Sequence, residues 1–454
     1  MPKRQHNLKI GVSGIRGVIG QFLTPKLACE FAQAFGTYVG GGRVVVGRDT
    51  RRSGEMIQQA VCCGLLAAGC EVVDTGILPT PTIQVYINAT GARGGIAVTA
   101  SHNPPEYNAL KIFNREGLFF NHYERSELID LYHQSSFRHA GNAEMQGIRS
   151  DLEAPTRLHF ERVLEHIDLA AVRRRRFRVA LDGVNGAGSL LSVDFLTNHL
   201  NAELFAMSVD PTQPFPREAE PKPEVLGEVS ALVRDRGCDI GFAQDPDGDR
   251  LAVIDETGRV LDGDDVLALA VDAILARLDG DVVVNLTTSA VIGDIARAHG
   301  REVFRTPVGE ANVVERMRRV GAVIGGEGSN GGIIFPAVQY CRDSYTGMAF
   351  LLDRMAATGK TVSALTAGLP RYERRSGKLT FEHGRLGVLM RALEQEFPEA
   401  EADRTDGLKL VWPDKWLHAR ASNTEPLLRL AVEAKDSAEA DGLFERMRRI
   451  AAGS

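Results

Sequence analysis

Arg43-Val44-Val45-Val46-Gly47-Arg48-Asp49-Thr50 is a short apolar run that ends in a polar turn. Helical spacing follows at once, at Met56, Ile57, Val61 and Leu65. The theme returns in Phe177-Arg178-Val179-Ala180-Leu181-Asp182-Gly183-Val184-Asn185-Gly186-Ala187-Gly188 and again in Asp281-Val282-Val283-Val284-Asn285-Leu286-Thr287-Thr288-Ser289. Each predicts a strand, a turn of small polar residues and a helix. Near-continuous apolar strands alternating with helices indicate buried, parallel or mixed sheets. The expected fold class is α/β: three related α/β domains with mixed sheets, over 1–155, 156–258 and 259–370. Beyond Gly368 the pattern changes. Leu408–Trp412, Trp416–Arg420 and Leu427–Val432 read as strands and Ala438–Ile450 as a helix, predicting a smaller α+β domain over 371–454.

A chain of 454 residues predicts several domains rather than one core. Its net charge of −6 gives no general attraction to nucleic acid or an anionic membrane surface, so an anionic substrate needs a local basic site. Arg173-Arg174-Arg175-Arg176 is the one dense basic run and reads as a solvated linker before a strand. None of the six cysteines forms a CxxC pair; Cys62, Cys63 and Cys70 lie in an apolar helical pattern and read as small hydrophobes of a reducing compartment. No signal-peptide core and no apolar stretch of about 18 residues is present. A cytoplasmic protein with no membrane partner is expected.

Two segments carry the chemistry. Thr99-Ala100-Ser101-His102-Asn103-Pro104-Pro105-Glu106-Tyr107-Asn108 follows the apolar run Gly94–Val98 and reads as a rigid, exposed tip presenting a serine. Serine is a weak nucleophile unless activated. A GxSxG elbow is absent, and on extended backbone the side chain of His102 diverges from that of Ser101, which disfavours a simple hydrolytic triad. The alternative is that Ser101 carries a phosphoryl group whose oxygens a metal holds. Asp245-Pro246-Asp247-Gly248-Asp249-Arg250 follows the apolar run Ile240–Ala243. In an extended loop alternate residues share a face, so Asp245, Asp247 and Asp249 converge on one hard cation, and an all-oxygen set with room for a phosphate suits Mg2+. The spacing does not match an EF-hand loop.

Two further loops read as recognition elements. Gly325-Gly326-Glu327-Gly328-Ser329-Asn330-Gly331-Gly332 offers a carboxylate and a hydroxyl on a backbone that a ligand can approach closely, which suits sugar hydroxyls. Arg420-Ala421-Ser422-Asn423-Thr424-Glu425-Pro426 combines a guanidinium, hydroxyls, an amide and turn N–H groups, which suits a dianionic phosphate. Each is also compatible with an ordinary polar turn. Arg16 is a candidate phosphate ligand, equally readable as a surface arginine; Lys111 is a candidate for proton transfer, though taken alone it reads more readily as a solvated cation.

Taken in order, these motifs resemble the α-D-phosphohexomutases, the phosphoglucomutases, phosphomannomutases and phosphoglucosamine mutases, over essentially the whole chain. Ser13-Gly14-Ile15-Arg16-Gly17 and Gly47–Arg51 resemble that family's first domain, Ser101 its phosphoserine, Asp245, Asp247 and Asp249 with Arg250 its Mg2+ loop, Glu327 and Ser329 its sugar loop, and Arg420–Thr424 its phosphate loop. The resemblance implies three related α/β domains plus a C-terminal α+β domain. It implies a phosphoserine enzyme that makes a bound hexose 1,6-bisphosphate, with that bisphosphate as primer and one Mg2+ held by Ser101, Asp245, Asp247 and Asp249. By the same analogy Lys111, His102 and Arg16 serve the reacting group. Arg250, Glu327, Ser329, Arg420, Ser422, Asn423 and Thr424 bind the sugar phosphate. A monomer or homodimer is expected.

The sugar is less sharply marked. Glucose and mannose members often carry Gly-His-Ser in the third domain, where this chain has Thr306-Pro307-Val308-Gly309-Glu310, and its sugar loop departs from the usual Glu-x-Ser-Gly-His. The overall style resembles archaeal-type phosphoglucosamine mutases, so glucosamine phosphate is expected, with glucose or mannose phosphate as the alternative. A metal-dependent sugar-phosphate phosphatase and an inactive sugar-phosphate binding protein are the remoter alternatives.

Overall fold

The computed structural model describes residues 9–11, 14–328, 332–380, 383–421 and 427–453. The chain divides into two compact units: Met1–Val266 with Asn330–Leu365, and Leu267–Ser329 with Thr366–Ser454.

The first unit holds two complete sheets. One is built from β1 Lys9–Gly11, β2 Gly14–Val18, β3 Gly42–Arg48, β4 Cys70–Ile77, β5 Gly94–Val98, β6 Tyr107–Phe113 and β7 Ile148–Ser150, in the order β1-β2-β6-β5-β3-β4-β7. The β5-β3-β4-β7 half is parallel, whereas β5-β6, β6-β2 and β2-β1 are antiparallel. The apolar strand centres Val44, Val46, Ile96 and Val98 pack on Phe31, Phe35, Ile57, Val61 and Leu65 of the helices Pro25–Tyr38 and Gly54–Ala67. This register brings three of the candidate site positions together. β5 runs into Ser101, Lys111 on β6 lies opposite Ala97 of β5 and Gly14 of β2, and Arg16 on β2 lies opposite Ala109 of β6.

The other sheet has β8 Arg178–Asp182, β9 Glu203–Met207, β10 Ile240–Gln244 and β11 Leu251–Asp255, in the order β11-β10-β8-β9. β10 and β11 are antiparallel with Gln244 opposite Leu251, so Asp245–Arg250 is the whole connection between them, pinned at both ends. The chain later returns to this unit as the antiparallel strands Gly332–Phe335 and Gln339–Arg342 and the helix Ser344–Thr358. That helix is capped by Asp343, which accepts from Tyr345 N and Thr346 N. Asp343 also meets the fully buried His159, whose Nε2 lies 3.1 Å from Asp343 Oδ2 while Nδ1 lies 2.9 Å from Thr82 Oγ1.

The second unit contains the parallel strands Val282–Asn285, Val303–Thr306 and Ile324–Glu327, with helices Val291–Ala298 and Glu310–Val320. It also contains an antiparallel five-stranded sheet in the order Glu373–Thr380, Leu427–Ala434, Trp416–Ala421, Leu408–Val411, Glu401–Asp403. Leu389, Leu393, Leu410, Leu417, Leu430 and Met447 fill its core against the helices Leu386–Glu396 and Ser437–Gly453.

Three local expectations are corrected. Cys70 opens β4 rather than continuing a helix, because Gly69 at φ +79° breaks the helical backbone first. Cys63 is exposed rather than packed. Arg173–Arg175 form the last turn of a helix, Leu169–Arg175, capped by Asp168 at its start; cations are favoured near helix C-terminal carbonyls, and the run is not a linker.

Candidate active site

Ser101 sits in a turn at the end of β5 with φ +48°, a left-handed conformation that costs a serine roughly 1–2 kcal/mol. Contrary to the expected exposed tip, it is only 2% exposed. Its Oγ donates to Asp245 Oδ2 at 2.7 Å. The left-handed backbone also overturns the expected divergence of its neighbour: Ser101 Oγ and His102 Nδ1 approach to 3.4 Å.

The aspartate loop converges for a different reason from simple alternation. Gly248, at φ +67°, donates its N–H to Asp245 O at 3.1 Å and folds the segment into a turn. The carboxylates of Asp245, Asp247 and Asp249 nonetheless come within 4.8 Å of one another and all are buried. Gly186 makes room behind the loop, since a Cβ there would meet Pro246 backbone at 2.7 Å; Ala187 N donates to Pro246 O at 2.7 Å.

Cations surround this cluster. Lys111 Nζ reaches Asp247 Oδ2 at 2.5 Å and Asp249 Oδ2 at 3.0 Å, and Arg342 Nη2 reaches Asp249 Oδ2 at 2.9 Å. Thr80 Oγ1 donates to Asp247 Oδ2 at 2.6 Å. Burial is the largest influence on Asp247 and opposes its charge, but Lys111 together with the hydrogen bonds from Asp245 and Thr80 holds that carboxyl below its ordinary range. Burial likewise opposes charge on Asp249, and Arg342, Lys111 and Arg250 together lower it. Asp245 moves the other way, raised by burial and by the charges of Asp247 and Asp249. Burial also opposes the Lys111 ammonium, yet Asp247 and Asp249 keep its pKa above the usual value. His102 is pushed down to about 3 by burial and then by Arg250, so its imidazole is neutral. Arg250 Nη1 pairs with Glu220 Oε1 at 2.5 Å, and its N–H donates to Asp245 Oδ1. Arg16 Nη1 donates to Asn103 Oδ1 at 2.5 Å, which draws it beside the serine turn.

Asp247 Oδ1 and Asp249 Oδ1 are buried and receive no hydrogen bond. A buried carboxylate oxygen without a donor is costly, and a cation bound there would satisfy it. Three close carboxylates are hard oxygen donors, so the residues fit a divalent cation of the Mg2+ kind.

Residues not singled out from sequence complete the arrangement. Arg51 is buried and donates to Ser101 O at 2.6 Å, Asn103 O at 2.7 Å, Pro104 O at 2.7 Å and Tyr107 O at 3.1 Å, and to Asp49 Oδ2 at 3.0 Å. Thr99 Oγ1 donates to Asp49 Oδ2 and accepts from Ser101 N. The Gly47–Arg51 turn was a visible signal for this group; nothing in sequence linked Thr80 or Arg342 to the aspartates.

In the second unit Glu327 is buried, and its Oε1 accepts from Asn285 Nδ2 at 3.0 Å and Gly309 N at 2.9 Å. Arg420 Nη1 lies 3.4 Å from Asp406 Oδ2, which also accepts from Val308 N. Ser329, Ser422, Asn423 and Thr424 lie outside the described residues.

Models of the phosphoglucomutase/phosphomannomutase alpha/beta/alpha domains I, II and III match residues 7–139, 157–258 and 262–372, and that of the C-terminal domain matches 387–450. The chain is 38% identical over 444 residues to a phosphoglucomutase/phosphomannomutase of Thermococcus kodakarensis, covering 96% of each. It is 36% identical over 434 residues to a probable phosphoglucosamine mutase of Methanopyrus kandleri, covering 95% of this chain and 94% of that protein. The crystal structure of a phosphoglucomutase/phosphomannomutase family protein from Burkholderia thailandensis superposes with a TM-score of 0.84 at 29% identity, covering 97% of this chain and 96% of that one.

Proposed function

The chain belongs to the phosphoglucomutase/phosphomannomutase family of phosphohexomutases, with three α/β/α domains and a C-terminal domain, and on that premise we propose that it converts glucosamine 6-phosphate to glucosamine 1-phosphate. It is an intramolecular phosphotransferase, an isomerase. The observation that carries the site assignment is Ser101 Oγ donating at 2.7 Å to Asp245, beside buried aspartate oxygens that lack donors.

In our reading phosphorylated Ser101 gives its phosphoryl group to a sugar hydroxyl. The P–O bond to Ser101 breaks as the sugar O–P bond forms, the hydroxyl proton leaves to a base, and a hexose 1,6-bisphosphate results. That bisphosphate turns over in the site, returns its other phosphate to Ser101, and also serves as primer. By the family resemblance we assign His102 to the proton transfer; burial and Arg250 keep its imidazole neutral. Lys111, assigned to the same transfer by the resemblance, is held as an ammonium by Asp247 and Asp249, which suits it to offset phosphoryl charge. Arg16 and Arg250 contact phosphate oxygens. One Mg2+ per chain, held by Ser101, Asp245, Asp247 and Asp249, would offset the charge that develops on the transferring group. Glu327 and Ser329 bind sugar hydroxyls, while Arg420, Ser422, Asn423 and Thr424 bind the phosphate that is not reacting.

The domains run over 1–155, 156–258, 259–370 and 371–454. We place the enzyme in the cytoplasm as a monomer or homodimer; among the described residues no helix is long and apolar enough to cross a membrane.

Glucosamine is supported by the Methanopyrus relative and by the missing Gly-His-Ser at Thr306–Glu310. The Thermococcus relative favours a second reading, glucose or mannose phosphate. A coupled assay of glucosamine, glucose and mannose 6-phosphates with Mg2+ and bisphosphate primer decides. The glucosamine reading requires the highest kcat/KM for glucosamine 6-phosphate; higher values for glucose or mannose install the second. Release of inorganic phosphate in place of isomerisation would indicate the phosphatase alternative. Intact mass should show an added phosphoryl group mapping to Ser101, and Ser101→Ala should abolish turnover.

A further inference from the structure

We propose that Arg51 is a positioning residue for phosphoryl transfer, a guanidinium clamp that holds Ser101 aimed at Asp245. The inference rests on the reading of Ser101 as the phosphoryl carrier.

A guanidinium has five N–H donors in a planar fork. Here each has an acceptor. Nη2 serves the carbonyls of Ser101 and Asn103, Nη1 those of Pro104 and Tyr107, and Nε the carboxylate of Asp49. Four carbonyls of one seven-residue segment therefore converge on a single buried side chain. The Arg51 side chain is 0% exposed, and its Cζ lies over the Phe215 ring, 5.2 Å from the centroid.

The clamp closes into a ring around the backbone of Ser101. The N–H of Ser101 donates to Thr99 Oγ1, Thr99 Oγ1 donates to Asp49 Oδ2, Asp49 accepts from Arg51 Nε, and Arg51 Nη2 returns to the carbonyl of Ser101. Asp49 is itself fixed by Arg51 N at 2.9 Å. Both polar backbone groups of Ser101 are thus held from one turn, and its left-handed φ of +48° persists because the surroundings over-determine it.

That backbone directs the side chain. A serine relaxed to a negative φ would swing Oγ away from Asp245. An error of about 1 Å in a reacting atom can cost roughly 10²-fold in rate. The loop must hold this aim through two transfers, carrying a phosphoryl group for part of the cycle. Lysine keeps the charge of Arg51 but has three donors on one nitrogen, so it cannot serve four carbonyls and Asp49 together.

The test compares Arg51→Lys with wild type by kcat, KM and phosphoryl occupancy of Ser101. The expected result is a kcat lower by about 10²-fold with KM changed less than about 3-fold, because aim is lost while substrate contacts stay. Should Arg51→Lys fail to fold, judged by its melting transition, Thr99→Val and Thr99→Ser replace it. Loss of the hydroxyl in Thr99→Val should lower kcat about 10-fold at similar KM, and Thr99→Ser should recover it. A kcat within about 3-fold of wild type in Arg51→Lys, or equal kcat in the two Thr99 variants, overturns the clamp. A fully active Ser101→Ala would instead overturn the phosphoserine reading itself, so the two failures are distinguishable.

Discussion

Lys111 Nζ lies between two carboxylates, 2.5 Å from Asp247 Oδ2 and 3.0 Å from Asp249 Oδ2, with all three side chains buried. One ammonium therefore pairs with both of the carboxylates whose remaining oxygens, Asp247 Oδ1 and Asp249 Oδ1, are open to a cation. Lys111→Met should destabilise the metal-free protein by about 3–5 kcal/mol, since it leaves buried charge unpaired. Mg2+ should recover part of that loss. Thermal melts with and without Mg2+ check this: the Mg2+-dependent rise in Tm should be larger in Lys111→Met than in wild type.

Asp247→Asn and Asp249→Asn each remove a charge from the proposed cation site while keeping shape. Activity should fall by roughly 10²-fold or more, and Mg2+ affinity measured by calorimetry should fall with it. Chelation of the wild-type enzyme should abolish turnover, and added Mg2+ should restore it. Unchanged affinity in both variants would place the cation elsewhere.

Lys409 makes stability depend on pH. Its ammonium is buried, donates to Leu286 O at 2.5 Å and lies 4.3 Å from the Trp416 ring centroid. Burial, then Arg305, sets its pKa well below the ordinary value of 10.5. The unfolded chain therefore binds more protons between the folded pKa and 10.5, so stability rises with pH across that window. Below the window the full cost of burying the charge applies. Lys409→Met should stabilise by about 1–2 kcal/mol at neutral pH, and the gain should shrink as pH approaches 10.5. Urea denaturation of both proteins across pH measures the slope.

His159 bridges Thr82 and Asp343 in the interior of the first unit. His159→Ala takes the imidazole from the buried Thr82 hydroxyl and from Asp343, which keeps the N–H groups of Tyr345 and Thr346, and should lower stability by about 1–3 kcal/mol. The urea midpoint should shift accordingly; a shift equivalent to less than 1 kcal/mol would mean the bridge contributes little.

The alternation of apolar runs and turns was readable because period-two and unbroken apolar patterns report burial directly. Val44–Val46, Val282–Val284 and the runs before Ser101 and Asp245 all became strands. Local backbone was harder. The left-handed Ser101 and the turn at Gly248 changed how His102 and the aspartates meet, and neither conformation has a periodic signature. Arg51, Thr80 and Arg342 were illegible as partners for a different reason. Apart from Asp49 beside Arg51, their acceptors lie 50 or more residues away, and pairing at that distance is set by sheet order, which composition does not encode.

The return of residues 330–365 to the first unit gives the cluster a history during synthesis. Asp249 and its partner Arg342 are 93 residues apart. At about 5–20 residues per second, the ribosome needs roughly 5–20 s after making Asp249 before Arg342 exists. Through that interval the nascent acidic loop lacks Arg342, one of the cations that pair with Asp249 beside Lys111 and Arg250, and Asp343 is not yet there for His159. A chain halted before residue 330 would carry the serine and all three aspartates yet lack these closing partners. Such a fragment should be bound by chaperones or degraded, and the last step in maturing the acidic loop is the arrival of a segment translated from the second half of the message.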